Sequence, residues 1–468
     1  MYVIMRTVTM SESRSLKKRN LRNKKYVSLR FDMKLKVIGA GLAGCEAAWQ
    51  AANLGIDVEL YEMKPKKYSP AHKNSNFAEL VCSNSLRADG IYNAVGLLKE
   101  EMRKLNSLIM VCADETKVPA GGALAVDREG FSAAVTKKIK ENPKITIIEK
   151  EVDKLNPDEY TIVAAGPLVS EVLAEEIHRF IGQEYLHFYD AAAPIVSYES
   201  IDMSKAFKAA RYDKGGADYI NCPMTKEEYI KFYNALISAE TAEVHENVEN
   251  PKVFEGCMPI EVMAKRGEDT MRFGPLKPVG LKNPHCEDKP YAVVQLRQDN
   301  AAHSMFNIVG FQTHLKFGEQ KRVFSMIPGL ENAEFVRYGV MHRNTYINSP
   351  CALDKFYSMR ENEKMFFAGQ ITGVEGYVES AASGLLAGIY AAKRIMGKDL
   401  KPFSADTAIG ALSNYVSNSS ITNFQPMNIN YGIISDLGVR VKDKKKKAEM
   451  VAERSFNEID SMINNEDL

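Results

Sequence analysis

Residues 35–62 constrain this chain more than any other stretch. Leu35 to Ile38 is a short apolar run suited to a buried strand, and Gly39-Ala40-Gly41-Leu42-Ala43-Gly44 follows it as a glycine turn. Cys45 to Leu54 is an alanine-rich helical stretch stopped by Gly55, and Asp57 to Tyr61 reads as a second strand ending at Glu62. This is a βαβ unit that opens a parallel sheet. Gly39, Gly41 and Gly44 fit GxGxxG in the context that gives the motif meaning: strand before, helix after, and an acid 23 residues beyond the first glycine. The first glycine permits a tight turn, the second lets backbone approach a pyrophosphate, and the third lets helix pack on strand. The phosphates would sit at the positive helix end, with Glu62 accepting from ribose hydroxyls. Dinucleotide binding is therefore expected at residues 39–44 and 62.

Two later stretches repeat the strand-then-glycine pattern. Tyr160 to Pro167 is one, and Met365-Phe366-Phe367-Ala368-Gly369 is the other, leading into a small-residue helix from Ser380 to Met396. Glycine turns at both ends of the sequence imply a discontinuous nucleotide-binding domain. The segment Gly369-Gln370-Ile371-Thr372-Gly373-Val374-Glu375-Gly376 is expected to cover a flavin, which favours FAD over NAD. No second GxGxxG offers a resident site for a nicotinamide dinucleotide, so NAD(P)H would visit the active-site face transiently. Between these parts, roughly 186–345 is rich in Tyr, Phe and Pro, with turn signals and short β-like runs such as Ala292 to Leu296. The expected fold is α/β: a discontinuous Rossmann-like FAD-binding domain (34–185 and 346–468) with an inserted α+β domain (186–345) on the substrate side. A charged helix is expected from Lys442 to Glu458.

Net charge is +1, but residues 1–33 hold nine Lys/Arg against two acids, which leaves the body at about −6. That basic stretch reads as a disordered extension, with Met33 as the expected natural start. An acidic body can bind a polyanion only through local basic patches. The candidates are Lys64, Lys66 and Lys67; Lys265, Arg266, Arg272 and Lys277; and Lys444 to Lys447. No window of 18 apolar residues spans a membrane. The seven cysteines form no CxxC pair, which argues against a disulfide framework or zinc site and for a reducing cytoplasm. Two thiols stand out. Cys82 lies in Glu79-Leu80-Val81-Cys82-Ser83-Asn84-Ser85-Leu86-Arg87, where hydroxyl, amide and Arg87 groups could stabilise a thiolate. Cys257 lies in Phe254-Glu255-Gly256-Cys257-Met258-Pro259, where a turn would expose it. Cys45 and the remaining cysteines read as structural.

Taken in order, these segments resemble the TrmFO family of folate- and FAD-dependent tRNA (uracil-5-)-methyltransferases. The likeness runs through Val37 to Gly44 with Glu46 to Gln50, Tyr61-Glu62-Met63-Lys64-Pro65 and the Cys82 segment. It continues in Asp190 to Val196, Arg211 to Gly216, the Cys257 segment, Arg272-Phe273-Gly274-Pro275 and Val294 to Asn300, and ends with Gly376-Tyr377-Val378-Glu379-Ser380-Ala381-Ala382 and Gln425 to Asn428. It covers about 34 to 455. The resemblance adds Met63, Lys64 and Tyr377 to the cofactor residues, with Tyr377 stacking on the isoalloxazine ring. It implies Cys257 as the thiol that attacks uracil and Cys82 as the thiol beside the flavin that assists transfer and proton removal. The implied target is uridine 54 of the tRNA T loop, with 5,10-methylenetetrahydrofolate as carbon donor, NAD(P)H as reductant and no metal.

The chemistry accounts for these parts. Uracil C5 is a poor nucleophile until a thiolate adds at C6 and makes an enolate. Methylenetetrahydrofolate carries carbon at the formaldehyde level, so a methyl group also needs a hydride, which a reduced flavin can supply. A second thiol or other base must then remove the C5 proton, and the base must leave its stack to be reached. Rival expectations are the same chemistry on 23S ribosomal RNA, the longer GidA relatives that act on wobble uridines, a small-molecule flavin oxidoreductase, and a non-catalytic RNA-binding flavoprotein.

Overall fold

The computed structural model describes residues 34–182, 186–213, 216–242, 258–286 and 288–465. The basic N-terminal stretch and Cys257 lie outside the described residues.

The βαβ unit forms as its pattern dictates. Strand Leu35–Ile38 pairs in parallel with Val58–Glu62, and the helix between them spans Leu42–Asn53, starting directly on the glycine turn. Ile145–Glu149 extends the sheet on one side, Thr161–Val163 and then Met365–Phe367 on the other, all parallel. The last strand thus returns from more than two hundred residues away to complete a five-stranded sheet. Its centre is apolar, with Leu35, Val37, Leu60, Ile162 and Phe366 all buried.

A 19-residue helix, Tyr377–Ile395, lies across the Leu42–Asn53 helix. Small residues permit this close approach. A Cβ on Gly384 would lie 2.1 Å from the Ala43 carbonyl oxygen, and one on Gly388 2.5 Å from that of Ala47. The helix starts three residues earlier than the small-residue pattern suggests, because Gly376, at φ +109°, sets the turn that begins it.

A six-stranded sheet follows a separate plan, in the order 207–209, 219–224, 292–298, 305–308, 195–197, 335–337. One of its faces packs on an apolar core that includes Val196, Ile220, Leu296, Phe306 and Ile308. Between the two sheets runs an antiparallel ribbon, Leu186–Ala191 with Met341–Tyr346. A three-stranded sheet built from Ser85–Ala88, Lys117–Val118 and Ala123–Val126 carries the segment that follows Cys82. The C-terminal helix spans Lys444–Asn464, capped by Asp443, whose carboxylate accepts from the Lys445 amide at 2.8 Å. No helix among the described residues is long and apolar enough to cross a membrane.

Candidate functional site

A cleft lies beyond the carboxyl ends of the parallel strands, where open α/β sheets bind ligands. It holds about 1130 Å³ of empty space, part of it open to solvent. The glycine turn forms one wall. Gly39 sits at φ +98°, with Ala164 backbone 2.6 Å from where a Cβ would be. Around Gly41 the same space is open, so a ligand can approach the backbone there. A Cβ on Gly44 would fall 1.8 Å from the Gly39 carbonyl oxygen. Each glycine therefore has the job its position in the motif implies. The helix that starts at Leu42 has no side-chain cap, so its first amides are left for an anion in the cleft.

Glu62 is buried and accepts from the Ala40 amide at 2.8 Å and the Lys64 amide at 2.9 Å. These bonds hold the carboxylate at the cleft wall with lone pairs to spare. Met63 and Lys64 also line the cleft. Lys64 is only 6% exposed and donates to the Asn74 carbonyl at 3.1 Å, with Glu79 3.9 Å away. It therefore belongs to the cleft, and the expectation that it joins a surface patch for RNA is wrong. The sequence did not single out His72, another cleft residue, whose Nδ1 lies 2.5 Å from Ser69 Oγ. Burial and then Lys64 keep that imidazole below its usual range.

From the second glycine segment, Gly369, Gln370 and Tyr377 reach the cleft. Gly373, Val374, Glu375 and Gly376 do not line it. The Glu375 amide donates to the Met427 carbonyl at 2.9 Å, the Gly373 carbonyl accepts from the Met427 amide at 3.0 Å, and the Glu375 carboxylate takes the Gln370 side-chain amide at 3.0 Å. These four residues brace the wall from behind.

Cys82 stands at the Tyr377 end of the cleft. The tyrosine hydroxyl is 2.9 Å from the Cys82 sulfur and accepts the Cys82 amide at 2.8 Å. Burial, and then the thiol itself, push the Tyr377 hydroxyl well above its ordinary pKa, so it stays protonated. Arg87 does not serve this thiol: its guanidinium pairs with buried Glu379. The cations that flank the Cys82 loop come from elsewhere. Arg128 binds Asp299 through two nitrogens at 2.9 and 3.1 Å and also reaches the Leu80 carbonyl. Burial opposes its charge, but Asp299 overcomes this and holds the group above its usual value. Arg297 donates to Ser83 Oγ at 2.8 Å and Asn84 Oδ1 at 3.2 Å. Arg297 and Asp299 stand in the Val294–Asn300 motif, and their partners could not be read from it. Nothing in the local sequence marks Arg128.

The other thiols sit apart. Burial pushes Cys112 and Cys222 up to about 12 and Cys45 well above its usual value, as inert core thiols require. Of the basic patches, Arg272 lies 3.5 Å over the Tyr291 ring and pairs with Asp269, and Lys67 pairs with Glu151 at 2.6 Å. Lys444 to Lys447 are exposed at the start of their helix. Among the described residues no group of three or more His, Cys, Asp and Glu side chains could hold a metal.

A parallel sheet with GxGxxG at its first turn, a late strand returning beside it, and a thiol–phenol pair beside the cleft define a Rossmann-like flavoprotein of the two-part kind. The profile of the family described as Glucose inhibited division protein A matches residues 34–399. The methylenetetrahydrofolate–tRNA-(uracil-5-)-methyltransferase TrmFO of Acetivibrio thermocellus is 64% identical over 422 residues, covering 90% of this chain and 97% of its own. The protein of that name from Bacillus licheniformis is 59% identical over 425 residues, covering 91% and 98%. Among solved structures, Aquifex aeolicus GidA superposes with a TM-score of 0.65 at 17% identity, over 91% of this chain and 73% of that one; a second crystal form gives 0.63. The chain belongs to the GidA family, in its TrmFO branch.

Proposed function

We propose that this protein transfers a one-carbon unit from 5,10-methylenetetrahydrofolate to C5 of a uridine in tRNA, uridine 54 of the T loop, with NAD(P)H as reductant and FAD as cofactor. The observation that carries the reading is the pairing of Cys82 with Tyr377, which lines a dinucleotide cleft. It is supported by relatives about 60% identical along nearly their whole length.

The cleft fits FAD. The open backbone at Gly41, with Ala40, Leu42, Ala43 and the uncapped helix behind them, would hold the pyrophosphate, and Glu62 a ribose. Gly369, Gln370 and Tyr377 would stand at the flavin end. Bound there and reduced by NAD(P)H, the flavin would supply the hydride that turns the transferred carbon into a methyl group.

The chain's own residues do the rest. Cys257 adds its thiolate to C6 of uracil, and the C5–C6 electron pair passes to O4, so that C5 can attack the one-carbon electrophile. Cys82 then takes the C5 proton, and the C6–S bond breaks as the ring regains its double bond. Tyr377, protonated and bonded to sulfur, fixes where Cys82 points. Asp299 and Arg128 hold the loop that carries it. We also propose that the chain divides into a flavin domain (34–185 and 346–468) and an inserted RNA-side domain (186–345), and that it works in the cytoplasm.

The test is to incubate holoenzyme with methylene-labelled tetrahydrofolate, NADPH and either unmodified tRNA or 23S ribosomal RNA transcripts, then map 5-methyluridine. Label at tRNA position 54 supports the reading. Label only in ribosomal RNA moves the substrate, and oxidation of NADPH with no methylated RNA sinks it.

A further inference from the structure

The six-stranded sheet presents one polar row toward Cys82. Its pairing sets Arg297 opposite Asn307, Asn307 opposite Ile195, and Ile195 opposite Arg337. Residues directly opposite in antiparallel strands share a face, and strands lie about 4.8 Å apart, so the row runs about 14 Å from Arg297 to Arg337. Arg297 fixes the direction of that face through its bonds to Ser83 and Asn84. Asp299, next along on the same side, grips Arg128. The other face carries the apolar core.

Arg337 reaches this row by an irregularity. Phe335 lies opposite Val196 and packs against the apolar core. Regular alternation would send residue 337 to the same side. The register slips between the two, and Arg337 emerges opposite Ile195 on the polar face instead, which is what bulges beside active sites do. Its electrostatic neighbours are Arg128, Tyr377, Asp299 and Glu79, all from the site around Cys82.

Two features of the row call for a ligand. Asn307 is 3% exposed, and its Nδ2 has no hydrogen-bond partner. Buried donors of that kind are rare and need an explanation. Charge is also unbalanced: Arg128, Arg297 and Arg337 face Asp299, while Glu79 is engaged by Lys64 and by the Lys73 and Asn74 amides. The row therefore offers donors and positive charge to something rich in acceptor oxygens. A pyrimidine-2,4-dione has two carbonyl acceptors, and it gains negative charge at O4 when a thiolate adds at C6.

We propose that Asn307 and Arg337 bind the carbonyl oxygens of the substrate uracil, and that Arg337 stabilises the O4 enolate formed when a thiolate adds at C6. This rests on the RNA-methylation reading above. No atom is gained or lost in the step: sulfur bonds to C6, and the C5–C6 pair moves to O4 until C5 uses it.

The test is a binding cycle on holoenzyme with two T-arm hairpins, one with uridine at the target and one with a pyrimidin-2-one ribonucleotide that lacks the 4-oxygen. Wild type should prefer uridine about tenfold, and Arg337→Ala should lose that preference. In turnover, Arg337→Ala should lower kcat about 10²-fold with KM for methylenetetrahydrofolate unchanged, and methylguanidinium should restore part of the rate. Asn307→Leu, which removes the donor at similar volume, should weaken the preference in a protein that keeps its flavin. A wild type that methylates RNA without discriminating the hairpins overturns the site alone. So does a rise in KM for the folate with kcat intact, which would hand the row to the folate's carboxylates. Discrimination with no methyl transfer overturns the function and leaves the uracil site standing.

Discussion

The Tyr377 hydroxyl accepts the Cys82 amide at 2.8 Å while lying 2.9 Å from the Cys82 sulfur. The two residues are 295 positions apart, so the parallel-sheet region and the long helix must both be in place before this thiol has its setting. One hydroxyl serves both the loop backbone and the reactive atom.

Tyr377→Phe keeps the ring and removes that hydroxyl. The Cys82 amide then loses its acceptor, which costs about 1–3 kcal/mol if water cannot replace it. Thermal unfolding should move to lower temperature, and RNA methylation should slow at least about tenfold as the thiol loses its fixed direction. The visible flavin spectrum of purified protein should remain. Unchanged methylation would show that the phenol does not position the sulfur.

The two proposed thiols should fail differently. Cys257→Ala should abolish covalent capture of an RNA with 5-fluorouridine at the target, read on a denaturing gel, because the C6 nucleophile is gone. Cys82→Ala should still form that complex and yet release little 5-methyluridine. Covalent capture by Cys257→Ala would reverse the assignment.

Glu101 predicts a pH dependence of stability. It is fully buried, and its carboxylate accepts from the Ala408 amide at 2.7 Å, the Ile409 amide at 2.8 Å and Ser455 Oγ at 2.6 Å. Burial outweighs these bonds and raises its pKa to about 7. A carboxyl that holds its proton more tightly when folded stabilises the fold at low pH. That contribution is lost as pH rises from about 4.5 to about 7, and it amounts to roughly 3 kcal/mol. In Glu101→Gln this slope should vanish, although the variant should be less stable throughout because an amide cannot accept from all three donors. Urea unfolding at pH 5 and pH 7.5 decides it: equal slopes for the two proteins would show that Glu101 titrates normally.

Lys444 to Lys447 occupy the first turn of their helix, where the positive end of the helix disfavours cations. Replacing all four with Ala should leave thermal stability unchanged or slightly higher. It should weaken tRNA binding several-fold at low salt and flatten the dependence of affinity on salt. Tight binding with an unaltered salt slope would place the RNA elsewhere.

Local pattern made the glycine turn legible, because strand, turn and helix all fall within 28 residues and each glycine has a steric reason visible in the motif. The late segment was legible only in part. Gly369 and Gln370 reach the cleft, but Gly373 to Gly376 pack on residues around Met427, a contact that no nearby residue announces. Lys64 misled for the same reason, since the carbonyls that receive its ammonium come from a loop ten residues on. Arg87 was the nearest guanidinium in sequence to Cys82, yet Glu379 claims it. The polar row of Arg297, Asn307 and Arg337 was beyond reach because strand register, including a slip of one residue, decides which side chains share a face.

The seam between Ala43 and Gly384 has a consequence for how the protein is made. The phosphate-binding turn leaves the ribosome early, but the strand that closes its sheet and the helix that backs it arrive more than three hundred residues later. Vectorial synthesis therefore leaves the nascent turn without its backing for most of translation. Flavin capture belongs to the final stage, and a chain stalled before residue 365 should emerge colourless.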